Sequence, residues 1–237
     1  MRILLVGHGR MGRLVASLAR EYGCEVAAIV DSRSAARVHA AEAEAWRDVD
    51  VAIDFSTPEA VVANVPALAR RGINVVVGTT GWSAHEAAVR AAVEQAGTGV
   101  VAASNFSTGV VLFEAIVAQS ARLFAAQPDF GAWLHEAHHA AKKDAPSGTA
   151  LTLKRAMEAA GYTRPIDMSS TRAGHIPGTH TIGFDGPVES MTLTHAARDR
   201  STFARGALTA ARWLKGRRGW FSMRDVLGVA GPERPGA

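Results

Sequence analysis

A short apolar run, Arg2–Val6, opens directly onto Gly7-His8-Gly9-Arg10-Met11-Gly12, and the stretch that follows carries Leu14, Val15, Leu18 and Ala19 on one helical stripe. Strand, glycine turn and helix in that order constrain the fold more than any other feature. A GxGxxG turn at this position lets the backbone come close to a pyrophosphate, and the helix N-terminus then faces the phosphate charge. The pattern continues to about residue 104. Glu25–Val30, Val49–Phe55, Asn74–Val77 and Gly99–Ala103 read as further strands, and Pro58–Arg71 and Ser83–Ala96 as helices, the second with Ser83 at its N-cap. An Ala- and Arg-rich helix or loop follows Asp31. Such alternation predicts a parallel sheet covered on both faces.

In open α/β sheets ligands lie beyond the carboxyl ends of the strands. Three more strand ends are therefore cofactor candidates. Asp31 stands nineteen residues after Gly12, where a carboxylate would take ribose hydroxyls. Phe55 sits in Asp54-Phe55-Ser56-Thr57-Pro58, and Gly78-Thr79-Thr80-Gly81 closes the fourth strand. Arg33 and Arg10 could instead hold a 2′-phosphate, so the sequence leaves NADH and NADPH both open.

After Asn105 the pattern changes. Thr108–Phe124 reads as a long helix, Phe130–His138 as a strand, Ser147–Ala160 as a helix and Phe203–Lys215 as another. Between the last two, Thr179–Phe184 and Val188–His195 read as antiparallel strands. The run from Glu136 to Thr149, EAHHAAKKDAPSGT, carries most of the candidate chemistry. Imidazole and ammonium groups move protons near neutral pH. The Pro-Ser-Gly-Thr step resembles a helix start whose free N–H groups at Ser147, Gly148 and Thr149 can hold a carboxylate. A metal reading of His138-His139 is disfavoured, because adjacent strand residues face opposite sides and no CxxC or HExxH is present. His135, an odd number of positions from His138, faces away from it and reads as structural. Asp144 reads as a cap for the turn before the helix.

Composition narrows the class. Of 237 residues, 26 are Lys or Arg and 22 Asp or Glu, and the basic excess is scattered apart from Lys215–Arg218. With no accompanying motif, this argues for anionic small molecules rather than nucleic acid. No apolar run is read as long enough to span a bilayer, and the N-terminus lacks signal-peptide grammar. A cytoplasmic protein is the expectation. The single cysteine, Cys24, excludes an internal disulfide and reads as a small packed residue.

EAHHAAKKDAPSGTA resembles the signature of the 4-hydroxy-tetrahydrodipicolinate (dihydrodipicolinate) reductase family. GRMGR, DFSTPE, GTTGW, SNFSTGV, IPGTH, FARGAL and MRDVLG agree in order, so the resemblance spans essentially the whole chain. It implies an NADH- or NADPH-dependent reductase of a cyclic imine dicarboxylate in the diaminopimelate route to lysine, with hydride delivered to C4 of the ring. His138 is similar to the proton donor/acceptor of the family, and Lys142 to its second donor and carboxylate partner. His139, Gly148 and Thr149 match substrate positions. Gly7, His8, Gly9, Arg10, Met11, Gly12, Asp31, Gly78, Thr79, Thr80, Ala103, Ser104, Asn105 and Phe106 match cofactor contacts, and Arg200 an interdomain hinge. The chain departs from many relatives in a glycine loop one residue shorter, in His8 and Ser104, and in Val188 where a glycine is frequent.

The implied architecture is a Rossmann-type α/β nucleotide domain, residues 1–106 with 200–237, and an α+β substrate and oligomerisation domain with a mixed open sheet, residues 107–199. The precedent is a homotetramer formed through the substrate-domain sheets. Hinges are expected near Ser107–Gly109 and Asp199–Ser201. Two other readings stay open: a reductase of another small imino or keto acid, and a non-catalytic NAD(P)-binding protein on the same scaffold. Retention of both His138 and Lys142 argues against the second.

Overall fold

The structure is a computed structural model describing residues 1–31, 46 and 48–229. Arg33, the Ala/Arg-rich stretch and the C-terminal tail lie outside the described residues. The described residues divide into two compact units, one from residues 1–108 and 200–229 and one from residues 109–199.

The first unit is a six-stranded parallel sheet. Its strands are β1 (Arg2–Val6), β2 (Glu25–Val30), β3 (Val51–Asp54), β4 (Asn74–Val77), β5 (Gly99–Ala102) and, from the far end of the chain, β10 (Gly219–Phe221). The spatial order is β10-β5-β4-β3-β1-β2. β1 therefore has β2 on one side and β3 on the other, and the chain reverses direction across the sheet at that point. β1, β3 and β4 are buried along almost their whole length, as continuous Val/Ile runs covered on both faces must be. Helices α1 (Arg10–Leu18), α2 (Pro58–Ala69), α3 (Glu86–Ala96), α6 (Ser201–Leu214) and α7 (Met223–Val226) complete this unit. Val61, Val65 and Leu68 of α2 and Val89 and Val93 of α3 pack into one core with Leu4, Ala52, Val75 and Val100.

Two buried side chains join distant parts of this unit. Asn74 donates to the carbonyls of Leu214 (2.8 Å) and Arg217 (3.0 Å) and accepts from the Gly99 N–H (2.8 Å). A buried amide satisfied this fully fixes the C-terminal segment beside β4. Gly206 of α6 is buried against the chain at residue 106, where an added Cβ would lie 1.6 Å from the Phe106 carbonyl oxygen. No other residue fits at that position.

The second unit is a four-stranded mixed sheet of order β7-β6-β8-β9, formed by β6 (Gly131–His138), β7 (Ile166–Arg172), β8 (Thr179–Asp185) and β9 (Ser190–Ala196). β8 and β9 pair antiparallel as the sequence predicts. β7 is not legible in the sequence. It pairs parallel to β6, with α5 (Gly148–Ala159) as the crossover. One sheet face is apolar at one end, where Ala132, Leu134, Ile182 and Phe184 pack under Leu153 and Met157 of α5 and Phe113, Val117 and Ala121 of α4 (Thr108–Ala125).

Two expectations are corrected. α4 is long and apolar enough to cross a membrane by length and composition, contrary to the reading that no run reaches that length. Its buried residues are Val110, Val111, Phe113, Val117 and Ala121, while Leu112, Ile116 and Leu123 are exposed. Ser83 does not cap a helix: a 3-10 turn, Ser83–His85, precedes α3, with Trp82 at its N-cap and no side-chain cap bond. Trp82 is buried, donates to the Thr79 carbonyl (2.8 Å) and meets Trp220 edge-on, and this packing sets the entry to α3.

Candidate active site

The glycine loop follows β1 at the point where the strand order reverses. Gly7 has φ +91°, and a Cβ there would lie 2.3 Å from the Phe55 carbonyl oxygen. A Cβ on Gly12 would lie 2.1 Å from the Gly7 carbonyl oxygen, so α1 packs directly under the loop. Gly9 is the N-cap of α1, with no side-chain cap bond and no acidic residue in the first turn. Gly9 and Arg10 are exposed, and His8 and Met11 are half-buried beside them. This cradle, which side chains would fill, fits the phosphates of a dinucleotide at a helix start. Asp31 stands at the end of β2.

The next two strand ends are tied together by a residue whose role the sequence reading did not assign. Asp54, fully buried at the end of β3, accepts from the Ser56 N–H (2.9 Å) and hydroxyl (2.6 Å), from Thr79 Oγ1 (3.0 Å) and from Asn64 (3.5 Å). Burial pushes its carboxyl up, against these hydrogen bonds. Asp54 thereby fixes the Phe55 and Thr79 loops relative to each other. Gly78 is needed for the same reason, since a Cβ there would lie 2.1 Å from the Phe55 ring. Phe106 is also buried and meets Phe55 edge-on, so its ring is packing. Thr79, Thr80, Ala103, Ser104 and Trp220 line a cleft of about 190 Å³ at this edge. Asn105 turns its side chain back to accept the Ser107 N–H (2.8 Å). Arg200 is exposed, at the N-cap of α6, where the chain re-enters the first unit.

In the second unit the EAHH alternation places Glu136 and His138 on the same sheet face, with His135 and its partner Ser169 (2.9 Å) on the other. Register brings three neighbours onto the Glu136 face. His180 of β8 pairs with Glu136, His195 of β9 with His180, and Arg172 of β7 with His138. The apolar face described above therefore becomes polar at its other end. Glu136, 0% exposed, accepts from Arg172 Nη2 (2.6 Å) on one oxygen and is bonded to His138 Nδ1 through the other. Burial opposes its charge, but the hydrogen bonds from Arg172 and Ser170 and the partnership with His138 outweigh it and hold the carboxyl at about 2. Burial lowers the His138 imidazole, and Glu136 partly offsets that. Burial also lowers His180, to about 4, with the neighbouring His138 adding to the effect.

Ser147 is the N-cap of α5. Its Oγ accepts from the Ala150 N–H (3.2 Å) and lies 3.0 Å from His180 Nε2. Asp144 does not supply this cap. Its carboxylate takes Lys142 Nζ on both oxygens (2.8 and 2.9 Å), and its own value is lowered by Lys142 first, with a contribution from the Gly148 N–H. The Asp144 carboxylate thus already holds the ammonium that the sequence assigns to an anion. Thr149 follows, half-buried, and the His139 carbonyl closes the turn by accepting the Lys142 N–H (3.1 Å).

Glu136, His138 and His180 offer ligand atoms within 4.8 Å of one another, a spacing that could hold a metal ion. The surrounding charge suits proton chemistry better. Arg172 already occupies Glu136, and Lys142 acts electrostatically on both histidines with a second positive charge. A divalent cation would face both.

Family models described as dihydrodipicolinate reductase, N-terminus, and dihydrodipicolinate reductase, C-terminus, match residues 1–106 and 109–227. The 4-hydroxy-tetrahydrodipicolinate reductase of Rhodopseudomonas palustris (strain BisA53) is 37% identical, the match covering 97% of each chain. That of Christiangramia forsetii is 33% identical over 96% of this chain and 98% of its own. Among solved structures, dipicolinate-bound dihydrodipicolinate reductase from Paenisporosarcina sp. TG-14 shares the fold, with a TM-score of 0.79 at 21% identity, covering 94% of this chain and 97% of that one. The first unit has the Rossmann-type architecture of NAD(P)-binding domains. With the two models together spanning most of the sequence and relatives matched nearly end to end, the chain belongs to the dihydrodipicolinate reductase family.

Proposed function

We propose that this protein reduces 4-hydroxy-tetrahydrodipicolinate to tetrahydrodipicolinate with NADH or NADPH, in the diaminopimelate route to lysine and in the cytoplasm. The observation that carries the substrate assignment is Lys142 Nζ held on a carboxylate, that of Asp144 (2.8 and 2.9 Å), on the loop that leaves the His138 strand. That ammonium suits a substrate carboxylate, which would displace Asp144.

The first unit holds the dinucleotide. The Gly7–Gly12 loop and the N-terminus of α1 face its phosphates, Asp31 takes the adenosine ribose hydroxyls, and the loops at Phe55, Thr79 and Ala103–Phe106 border its nicotinamide end. Bound there, the cofactor supplies a hydride to C4 of the substrate ring. The protein supplies the rest. The 4-hydroxyl leaves as water first; hydride addition at C4 of the resulting conjugated imine then leaves an electron-rich enamine, and its carbon must gain a proton. His138, as imidazolium, donates that proton and stabilises the developing charge. Lys142 pairs with one substrate carboxylate as a point charge and serves as the second donor. The N–H groups at Ser147–Thr149 hold the other carboxylate, with His139 beside them. Residues near Arg200 and Ser107–Gly109 act as the hinge, and the exposed face of the four-stranded sheet forms the contact of a homotetramer.

NADH oxidation with freshly prepared substrate tests the reading. Consumption in step with substrate is expected. Folded protein that binds NADH but shows no turnover would contradict it. Parallel titrations with NADH and NADPH decide the cofactor preference.

A further inference from the structure

We propose that Glu136 and Arg172 form a positioning pair that fixes the His138 ring with Nδ1 turned inward and Nε2 as the nitrogen that delivers the proton. The proposal rests on the reading of His138 as the proton donor. It adds two residues to that role, one of them on a strand whose sequence carries no catalytic signal.

The argument begins with Glu136. An ionised carboxylate can only accept hydrogen bonds. Glu136 is held near 2, so it is ionised at any working pH. Its bond to His138 Nδ1 therefore requires hydrogen on that nitrogen, in the neutral ring as well as in the imidazolium. Nε2 is left as the titrating atom. The space around the ring agrees. A Cβ on Gly178 would stand 3.0 Å from Nε2 and 3.2 Å from Cδ2, so glycine there leaves the Nε2 edge free of a neighbouring side chain. A buried carboxylate behind the inner nitrogen stabilises the imidazolium without itself taking the proton.

Arg172 keeps Glu136 in place and moderates its effect. Its Nη2 lies 2.6 Å from Glu136 Oε1 and also donates to the Asp144 carbonyl (2.6 Å). The same guanidinium thus holds the carboxylate behind His138 and the loop that carries Lys142. Its charge opposes protonation of His138, as Lys142 does, whereas Glu136 favours it. From β8, His180 meets the His138 ring edge-on with centroids 5.2 Å apart, and its own acidity keeps it neutral. Among the described residues these four groups are the charged and titratable neighbours of His138, one each from β6, β7, β8 and the loop after β6.

The two members of the pair push in opposite directions, which separates positioning from simple structural support. Glu136→Gln keeps the shape but removes the charge, and its one carbonyl oxygen can accept from Arg172 or from His138 Nδ1 but not from both. Its kcat/KM should lose activity at lower pH than wild type on the alkaline side, roughly tenfold down at pH 8 with a much smaller loss at pH 6. Arg172→Met should move that alkaline limb to higher pH. Nitrogen-15 NMR of the His138 imidazole, read on wild type, should show hydrogen on Nδ1 and titration at Nε2. An Nε2–H tautomer in wild type would overturn the proposal, and so would limbs that move the same way in both variants. If a variant fails to fold, the wild-type tautomer decides. The underlying reading of His138 fails separately, if His138→Gln turns over at the wild-type rate.

Discussion

At the scale of single residues, the site is set by which side chains are given room and which are held. Gly178 has room to lose. Its backbone is not in the left-handed region, so alanine is tolerated there, but the new methyl would press on Nε2 of a ring that Glu136 holds from behind. We expect Gly178→Ala to lower kcat by about tenfold or more with little change in melting temperature, since a misplacement of this size at a reacting group costs one to two decades. Equal kcat in the two proteins would mean that Nε2 is not the working atom. His138→Gln should reduce kcat about a hundredfold or more while NADH affinity, measured by fluorescence titration, stays within about twofold. Much of this was legible. The two-residue spacing in EAHH is enough to put Glu136 and His138 on one face, although the sequence reading assigned Glu136 no role. Arg172 gave no such signal, because nothing in its neighbourhood resembles a motif and its partner is thirty-six positions away.

The elements explain which parts of the fold could be read. β1, β3, β4 and β5 are buried Val/Ile-rich runs between glycine or proline punctuation, and their pattern is unambiguous. β7, with the sequence IDMSSTR, has no apolar alternation beyond Ile166 and Met168. The reason lies in what it faces. From Ser170 to Arg172 its inner side lies against Glu136 and His138, so the strand is polar on both faces where it serves the site. His180 belongs to the same polar end of the sheet, and its burial makes the second unit sensitive to acid. Its folded value of about 4 lies below the ordinary 6.5. The unfolded chain therefore binds the proton first, and stability present above about pH 6.5 is lost as pH falls toward 4, on the order of 3 kcal/mol. Urea unfolding of wild type and His180→Gln at pH 7 and pH 4.5 checks this: the variant should show a clearly smaller loss between the two. In the first unit, α6 depends on Gly206. The carbonyl of Phe106 occupies the place of a side chain there, so Gly206→Ala should destabilise by about 3 kcal/mol, read as a lower urea midpoint.

For the whole molecule, the division of labour follows from two cores with different topologies. A parallel sheet that reverses its strand order at β1 suits a dinucleotide, and a mixed sheet that turns from apolar to charged along one face suits a small anion that must be protonated. A tetramer formed by the four-stranded sheets should sediment at about four times the 24.9 kDa chain mass, and a monomer at micromolar concentration would remove that part of the proposal. The central claim is that the first unit brings a hydride and the second brings the proton. Single-turnover mixing of the enzyme–NADH complex with freshly prepared 4-hydroxy-tetrahydrodipicolinate, followed at the NADH absorbance, tests it most directly. Wild type should oxidise one NADH per site, and His138→Gln, with NADH bound as tightly, should do so about a hundredfold or more slowly. Oxidation by His138→Gln at the wild-type rate, or none by wild type, would contradict the account.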